Sequence, residues 1–288
     1  MKLPRFEYHR PASVGDAVQL LADLGGEAKI LAGGQSLLPV MALRIGAPAH
    51  LVDIGAIPGL DTISSDATGT RIGCGTRHAQ AEEHGALQQF APLLAKALPF
   101  IGHRAIRNRG TLCGSIAHAD PAAELPAVCR ALDATMIAVS VRGERAIPAD
   151  EFFTGFLDTA LEDDELLTEV RFPEWGERRG AGFGERSRRH GDYGIVGAGA
   201  TVTLGDDTTI EHAALVFTGV GPTPIRAIDA EQLLLGATPS PSVFADAARA
   251  AADALDPPSD LHGSANYRRH LAAVLAAQAL GEAAGSIR

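Results

Sequence analysis

A glycine pair between a strand pattern and a helix start is the feature that most restricts how this chain folds. The segment Lys29-Ile-Leu-Ala-Gly33-Gly34-Gln-Ser36-Leu37 comes after an α-helical pattern. It begins within a short apolar strand pattern at residues 28–31. Glycine lets the backbone approach a ligand closely, and successive N–H groups with a serine hydroxyl can converge on an anion. The spacing matches neither a P-loop nor a Rossmann fingerprint. The segment predicts an α/β unit whose turn is either a plain connection or a phosphate cradle.

Patterns along the rest of the chain predict two further units. Strand patterns occur at residues 135–141 and 166–172, and the polar stretch 174–180 then indicates a domain junction. Beyond the junction, strand patterns at 181–220 precede helical patterns at 225–279, an order typical of an α+β domain. The predicted fold class is α+β, with α/β subdomains at residues 1–55 and 56–175 and an α+β C-terminal domain at residues 176–288 with a small antiparallel sheet.

Two other segments have the composition of a ligand site. Residues 103–117 are rich in Arg, Gly and small residues without a clear period, which predicts a loop. There Thr111, Gly114 and Ser115 offer N–H groups and hydroxyls, while Asp120 and Glu124 offer acceptors for ribityl or ribose hydroxyls. Asp120 is also expected to cap the helix predicted after Pro121. Residues 182–194 end in a basic stretch and Tyr193, so this segment is either a ring-stacking site or a solvated strand end.

Composition disfavours several other classes of protein. The 288 residues include 25 basic and 35 acidic side chains, a balance opposite to that of a non-specific nucleic-acid binder. The three cysteines (Cys74, Cys113 and Cys129) form no C-x-x-C, which disfavours disulfides and an iron–sulfur cluster held by this chain alone. The histidines show no metal-ligand spacing, so no metal site is predicted and most histidines are expected at the surface or in hydrogen bonds. Without a signal-peptide pattern or a long apolar run, we expect a cytoplasmic protein with no membrane span.

Taken together, these segments resemble the FAD-binding medium subunit of the molybdenum hydroxylases, the family of the carbon monoxide dehydrogenase flavoprotein and the xanthine dehydrogenase flavin domain. The resemblance is near full-length and begins at Phe6-Glu-Tyr-His-Arg-Pro11. It continues through Ala32-Gly-Gly-Gln-Ser-Leu-Leu-Pro39, Arg107-Asn-x-Gly-Thr-x-x-Gly-Ser115 and Ala119-Asp-Pro-Ala-Ala-Glu-Leu-Pro126, and it ends at Arg188-Arg-His-Gly-Asp192. Two glycine-containing loops with the A-D-P-A-A-E-L-P run, in this order, make a specific signal.

The resemblance implies that two α/β subdomains clasp FAD and that residues 32–36 and 111–115 enclose its pyrophosphate. Tyr193 falls where the family places a residue against the isoalloxazine ring. The sequence departs from the family pattern in two places: Cys113 replaces a glycine, and residues 184–186 lack the usual lysine. The predicted cofactor-binding residues are Lys29, Ala32, Gly33, Gly34, Gln35, Ser36, Leu37, Ile101, Thr111, Leu112, Cys113, Gly114, Ser115, Ala117, Asp120, Glu124, Leu161, Leu167 and Tyr193.

The implied function is electron transfer, and no catalytic side chain is predicted in this subunit. The resemblance implies a heterotrimer with an iron–sulfur small subunit and a molybdopterin large subunit, itself dimerised, with NAD or a quinone as external acceptor. One alternative is a stand-alone flavin oxidase or reductase that uses Glu185 or His190 as an acid or base. The other is a non-catalytic scaffold subunit in which Cys113 has closed the FAD site.

Overall fold

Three main β-sheets, each with helices packed on it, form the protein in the computed structural model, which describes residues 2–66 and 68–287. Met1 and Arg288, the outermost residues of the predicted terminal domains, lie outside the described residues. Mixed helices and small sheets confirm the predicted α+β fold class.

The first sheet is parallel and three-stranded, in the order β1-β3-β2. Its elements are β1 (Glu7–His9), α1 (Val14–Leu24), β2 (Ala28–Leu31), α2 (Leu37–Ala42) and β3 (His50–Asp53). Helix α1 begins where the sequence predicts, because the Ser13 side chain accepts a hydrogen bond of 3.1 Å from the Asp16 N–H. The turn between β2 and α2 connects the partly buried edge strand β2 to a short helix.

The second sheet is antiparallel, in the order β4-β5-β10-β6-β7, and a two-stranded hairpin of β8 and β9 lies apart from it. Its strands and the hairpin are β4 (Ile63–Asp66), β5 (Gly69–Gly73), β6 (Thr135–Ser140), β7 (Gly143–Pro148), β8 (Phe153–Gly155), β9 (Asp158–Thr159) and β10 (Leu166–Phe172). The predicted strands at residues 135–141 and 166–172 are confirmed as β6 and β10. Strand β10 comes last in the sequence yet pairs with both β5 and β6 in the middle of the sheet.

Short helices join the strands of the second sheet. They are α3 (His78–Glu83), α4 (Gly85–Phe90), α5 (Pro92–Ala97), α6 (Arg104–Arg107), α7 (Leu112–His118), α8 (Glu124–Ala131) and α9 (Ala149–Phe152). The loop predicted at residues 103–117 is wrong, because α6 and α7 occupy most of it. Arg107 is buried there and donates to the carbonyl oxygens of Ile101 at 3.1 Å and Gly102 at 2.9 Å. Tertiary contacts of this kind hold helices that are too short to show an apolar period.

The third sheet is antiparallel, in the order β11-β12-β13-β14. The C-terminal elements are β11 (Arg179–Ser187), β12 (Gly194–Leu204), β13 (Ile210–Thr218), β14 (Ile225–Arg226), α10 (Ile228–Gln232), α11 (Pro241–Asp253) and α12 (Ala265–Gly285). The helix predicted from residue 225 is wrong at its start, where β14 pairs with β13. Helix α12 lies so close to β11 that a Cβ at Gly182 would stand 2.1 Å from the Ala279 carbonyl oxygen.

Two hydrophobic clusters form the core. The larger one joins the first two sheets and also takes in Phe183 of β11 and Val216 of β13, while the smaller one lies between the third sheet and α11 and α12. The third sheet thus packs with one face on the second unit and the other on its own helices. Across the described residues, every helix is too short or too polar to cross a membrane.

Candidate cofactor site

The turn between β2 and α2 presents a run of free backbone donors. Within the described part of the chain, the N–H groups from Gly33 to Leu37 have no hydrogen-bond acceptor, and the first bonded donor is Leu38, which reaches the Gly34 carbonyl at 3.2 Å. Gly34 has a positive φ in the left-handed region, a conformation that glycine adopts without strain. Successive unsatisfied donors at the start of a helix form a suitable site for an anion such as a phosphate.

Gly33 is the point where the two glycine-containing segments meet. A Cβ at Gly33 would stand 2.4 Å from the Arg109 carbonyl oxygen and 2.6 Å from Gly110 Cα. Both neighbours belong to the backbone and cannot rotate away, so only glycine permits this approach. The sequence therefore brings the two predicted cofactor segments into direct contact.

The second segment differs in detail from its prediction. Thr111 is the N-cap of α7, since its Oγ1 accepts a hydrogen bond of 3.2 Å from the Gly114 N–H. The Thr111 carbonyl accepts from the Ser115 N–H, so the backbone donors of Gly114 and Ser115 are already engaged, contrary to their predicted availability. Cys113 is buried, and its Sγ lies 3.9 Å from the Ile72 carbonyl oxygen. Burial raises the pKa of this thiol well above its ordinary value.

A cleft of about 540 Å³ opens along these segments. Two of the predicted cofactor residues do not line it: Leu112 is fully buried in the core, and Asp120 faces a second cleft. The Asp120 carboxylate accepts from Ala122 N–H at 2.9 Å, and the N-cap of α8 is Ala123, so the predicted helix cap is wrong. The cleft is lined by the other predicted residues: Lys29, Ala32, Gly33, Gly34, Gln35, Ser36, Leu37, Ile101, Thr111, Cys113, Gly114, Ser115, Ala117, Glu124, Leu161, Leu167 and Tyr193.

His78 also lines this cleft, and sequence reasoning missed it. Its side chain is buried, yet neither ring nitrogen has a hydrogen-bond partner among the described residues. Burial lowers its pKa to about 4, so the ring is neutral at pH 7 and offers one donor and one acceptor. His78 is an exception to the prediction that most histidines lie at the surface or in hydrogen bonds. No spacing signal marks His78, because only the fold brings it to the cleft.

Two buried acidic groups, Glu124 at the first cleft and Glu185 on β11, interact where α8 packs on the third sheet. Burial raises the pKa of Glu124 to about 7, with a further contribution from the charge of Asp120. Burial likewise raises the pKa of Glu185 to about 9, and the neighbouring Glu124 carboxylate adds to this shift. Glu185 Oε2 has no hydrogen-bond partner among the described residues, and Glu185 lines neither cleft. The acid or base role considered for a stand-alone oxidase is therefore not supported by its position.

Tyr193 lies where two clefts meet. It is 57% exposed and lines both the first cleft and a second one of about 1040 Å³. Partial burial and the nearby carboxylates of Asp120 and Glu124 raise its pKa to about 12, so the phenol stays protonated at neutral pH. The second cleft has apolar walls that include Pro257 and Pro258.

A buried arginine forms part of the second cleft. Arg268 donates to the Gly219 carbonyl and to the Asp260 carboxylate, each at 2.8 Å, while its Nε has no partner among the described residues. The basic stretch at residues 186–190, which precedes Tyr193, is exposed at the end of β11. This agrees with its interpretation as a solvated strand end.

These features fit the FAD that the resemblance implies. Free N–H groups beside Gly33, whose Cβ space is filled by backbone, suit a pyrophosphate, and buried unpartnered nitrogens of His78 suit a polar ligand. The volume of the first cleft lies within the range typical of small-molecule and cofactor pockets.

Comparison with known proteins supports the same cofactor, FAD. Residues 4–175 match the FAD binding domain in molybdopterin dehydrogenase, and residues 181–283 match the CO dehydrogenase flavoprotein C-terminal domain. The 6-hydroxypseudooxynicotine dehydrogenase complex subunit alpha of Paenarthrobacter nicotinovorans is 44% identical over 98% of this chain and 96% of its own length. The carbon monoxide dehydrogenase medium chain of Hydrogenophaga pseudoflava is 39% identical over 97% of each chain.

Solved structures agree over the whole chain. A chain of the carbon monoxide dehydrogenase from Hydrogenophaga pseudoflava superposes with a TM-score of 0.96 at 38% identity and covers 100% of both chains. A chain of quinoline 2-oxidoreductase from Pseudomonas putida 86 gives a TM-score of 0.93 at 37% identity over 99% of both chains. These matches confirm the resemblance, the oxidoreductase class and the cofactor, FAD. The chain therefore belongs to the family of FAD-binding subunits of the molybdenum hydroxylases.

Proposed function

We propose that this chain passes electrons from the iron–sulfur clusters of a partner small subunit, through FAD, to an external acceptor such as NAD or a quinone. A molybdopterin large subunit oxidises the substrate in this scheme. The run of free N–H groups from Gly33 to Leu37 at the cleft is the observation that most supports a bound dinucleotide.

The chain's own residues bind, orient and shield the cofactor in this proposal. Bound FAD supplies the redox chemistry. Gly33, Gly34 and Ser36 hold its pyrophosphate, with Lys29 at the same cleft for charge compensation.

The wall formed by residues 157–167 is tied to β2 at the first cleft and to β7 outside it. Lys29 pairs with Asp163 across 3.8 Å, which links strand β2 to this wall. Arg145 anchors the wall through a bidentate contact with Glu165, donating from Nε to Oε1 at 2.6 Å. Its Nη2 donates to Oε2 of the same carboxylate at 2.8 Å. These contacts hold the wall in place while the cofactor binds.

The second cleft is the proposed approach for the external acceptor. It shares Gly191, Asp192 and Tyr193 with the first cleft, so a molecule bound there lies beside the cofactor site. Its apolar walls suit a planar organic acceptor. Substitution of Pro257 by Glu should then raise the KM for the acceptor and leave the FAD content of the complex unchanged.

The proposed assembly is a heterotrimer that dimerises. Relatives named as a medium chain or as a complex subunit support this arrangement, since each name describes one chain of a larger enzyme. The division at residues 55/56 and 175/176 stays a prediction, to be tested by limited proteolysis at these junctions.

The first test is an absorbance spectrum of the purified chain after incubation with FAD and removal of free flavin. About one bound FAD per chain is expected, and a colourless chain would contradict the site. The second test is co-purification of the tagged chain from its native host. Iron, molybdenum and two further subunits are expected in stoichiometric amounts. Turnover of a small organic substrate by the isolated flavoprotein would instead establish the stand-alone oxidase.

A further inference from the structure

The edge of the first sheet, away from both clefts, brings two imidazoles and a carboxylate together. Glu7 and His9 are two residues apart on β1, so their side chains share one face of the strand. In the parallel pairing of β1 with β3, Glu7 lies opposite His50. All three side chains therefore project from the same face, although 41 residues separate His9 from His50 in the sequence.

The ligand atoms have the spacing of a metal coordination sphere. His9 Nε2 and His50 Nδ1 are 3.1 Å apart, and His50 Nδ1 and Glu7 Oε2 are 3.6 Å apart. In a tetrahedral zinc site with bonds of about 2.1 Å, neighbouring ligand atoms are about 3.4 Å apart. One ligand atom from each of the three residues lies within 4.8 Å of the other two, so the His9–Glu7 edge is the longest that a bound cation would have to close. A rotation of the Glu7 side chain, which is 75% exposed, can close that edge.

The two nitrogens are better fixed than the oxygen. The His50 side chain is only 17% exposed, and the two rings are held at a centroid distance of 5.2 Å. A tautomer shift that places each ring proton on the outward nitrogen turns both inward nitrogens into acceptors, without changing the charge of either ring. Two imidazole nitrogens and one carboxylate oxygen are then available to a single cation, and water can supply a fourth ligand.

We propose that Glu7, His9 and His50 form a binding site for a divalent transition-metal cation, with zinc as its natural probe. Imidazole nitrogens with one carboxylate suit borderline cations such as Zn²⁺, whereas Mg²⁺ and Ca²⁺ prefer oxygen ligands. The bound cation joins the three-residue edge strand β1 to β3. This site is separate from the proposed electron path, since none of its residues lines either cleft.

Isothermal titration calorimetry of the full chain with Zn²⁺, after treatment with a chelator and removal of any affinity tag, tests the site. We expect one tight equivalent per chain in the wild type, no such equivalent in His50→Ala, and at least tenfold weaker binding in Glu7→Gln. His212→Ala is the matched control, because His212 is an exposed strand histidine on another sheet. This control should bind as the wild type does.

Three results would overturn the proposal: no binding to the wild type at 100 µM Zn²⁺ (a binding free energy of about −5.5 kcal/mol), unchanged binding by both site variants, or equal loss in the control. Because Glu7→Gln alters only an exposed side chain, the variant should fold normally. Weaker Zn²⁺ binding by this variant then reports on the site and not on misfolding. All variants should retain FAD as the wild type does, so failure of this site and failure of the proposed function are distinguishable.

Discussion

Replacement of Glu185 by Gln should remove most of the loss of stability that the folded chain suffers as pH rises above neutrality. The pKa of Glu185 is raised to about 9 and that of Glu124 to about 7, from an ordinary value of 4.5, mainly by burial. The two groups interact, so their titration steps belong to the pair. Above pH 4.5 the unfolded chain loses protons that the folded chain keeps, and the free energy of unfolding therefore falls with rising pH.

The size of the effect follows from the number of retained protons. Each one lowers the free energy of unfolding by about 1.4 kcal/mol per pH unit. One retained proton between pH 6.5 and 8.0 thus costs about 2 kcal/mol. The window begins at 6.5 because His78, with its pKa lowered to about 4, has the opposite effect between pH 4 and 6.5. It ends at 8.0, before the thiols of the unfolded chain titrate appreciably.

Urea unfolding of the purified chain, followed by circular dichroism at pH 6.5 and 8.0, measures this loss. The wild type should lose about 2 kcal/mol and Glu185→Gln less than about 1 kcal/mol. The neutral amide removes the proton that Glu185 retains, so only Glu124, whose neighbour Asp120 is unchanged, still titrates in this range. Glu211→Gln is the control, since Glu211 is exposed on β13. A wild type whose stability changes by less than about 0.5 kcal/mol, or a variant as pH-sensitive as the wild type, would refute the reasoning.

Three further outcomes are expected. Gly33→Ala should lose bound flavin in the absorbance assay and about 1–3 kcal/mol of stability in urea, since its Cβ meets backbone, whereas Gly85→Ala, with nothing within 4 Å, should do neither. The three buried cysteine thiols should resist a thiol reagent in the native chain, because burial raises the pKa of each, and all three should react in denaturant. Rapid labelling of the native chain would contradict this. Tyr193→Ala should weaken FAD binding by about three- to tenfold in a fluorescence titration, whereas Tyr193→Phe keeps the ring and the affinity; equal loss in both would exclude stacking.

Local signals in the sequence were sufficient for much of the fold. Ser13 and the glycines after residue 24 delimit α1, because a cap and a helix terminator act within a few residues. Strands β2 and β10 are apolar runs with clear ends, and both were predicted at their observed bounds. Elements held by distant contacts were not predictable in this way. Helix α6 depends on the contacts of buried Arg107, and strand β7 is mostly exposed at a sheet edge.

The candidate site shows the same division. The glycine pair at Gly33 was visible because close backbone approach demands that residue type, and the resemblance supplied its partner segment. His78 was not visible, since its place in the cleft depends on the pairing of β5 with β10 and on the segment that follows β5. The interaction between Glu124 and Glu185 likewise arises only when α8 packs on the third sheet.

The position of β10 has a consequence for biosynthesis. This strand holds the middle of the second sheet, and residues 157–167 form one wall of the first cleft. A nascent chain that has not yet released residue 172 from the ribosome therefore lacks both the strand between β5 and β6 and that wall. Pairing across such a long sequence separation is slow compared with local helix formation. Flavin loading must wait until more than half of the polypeptide has emerged, and until then the apolar faces of β5 and β6 are surfaces for chaperones to protect.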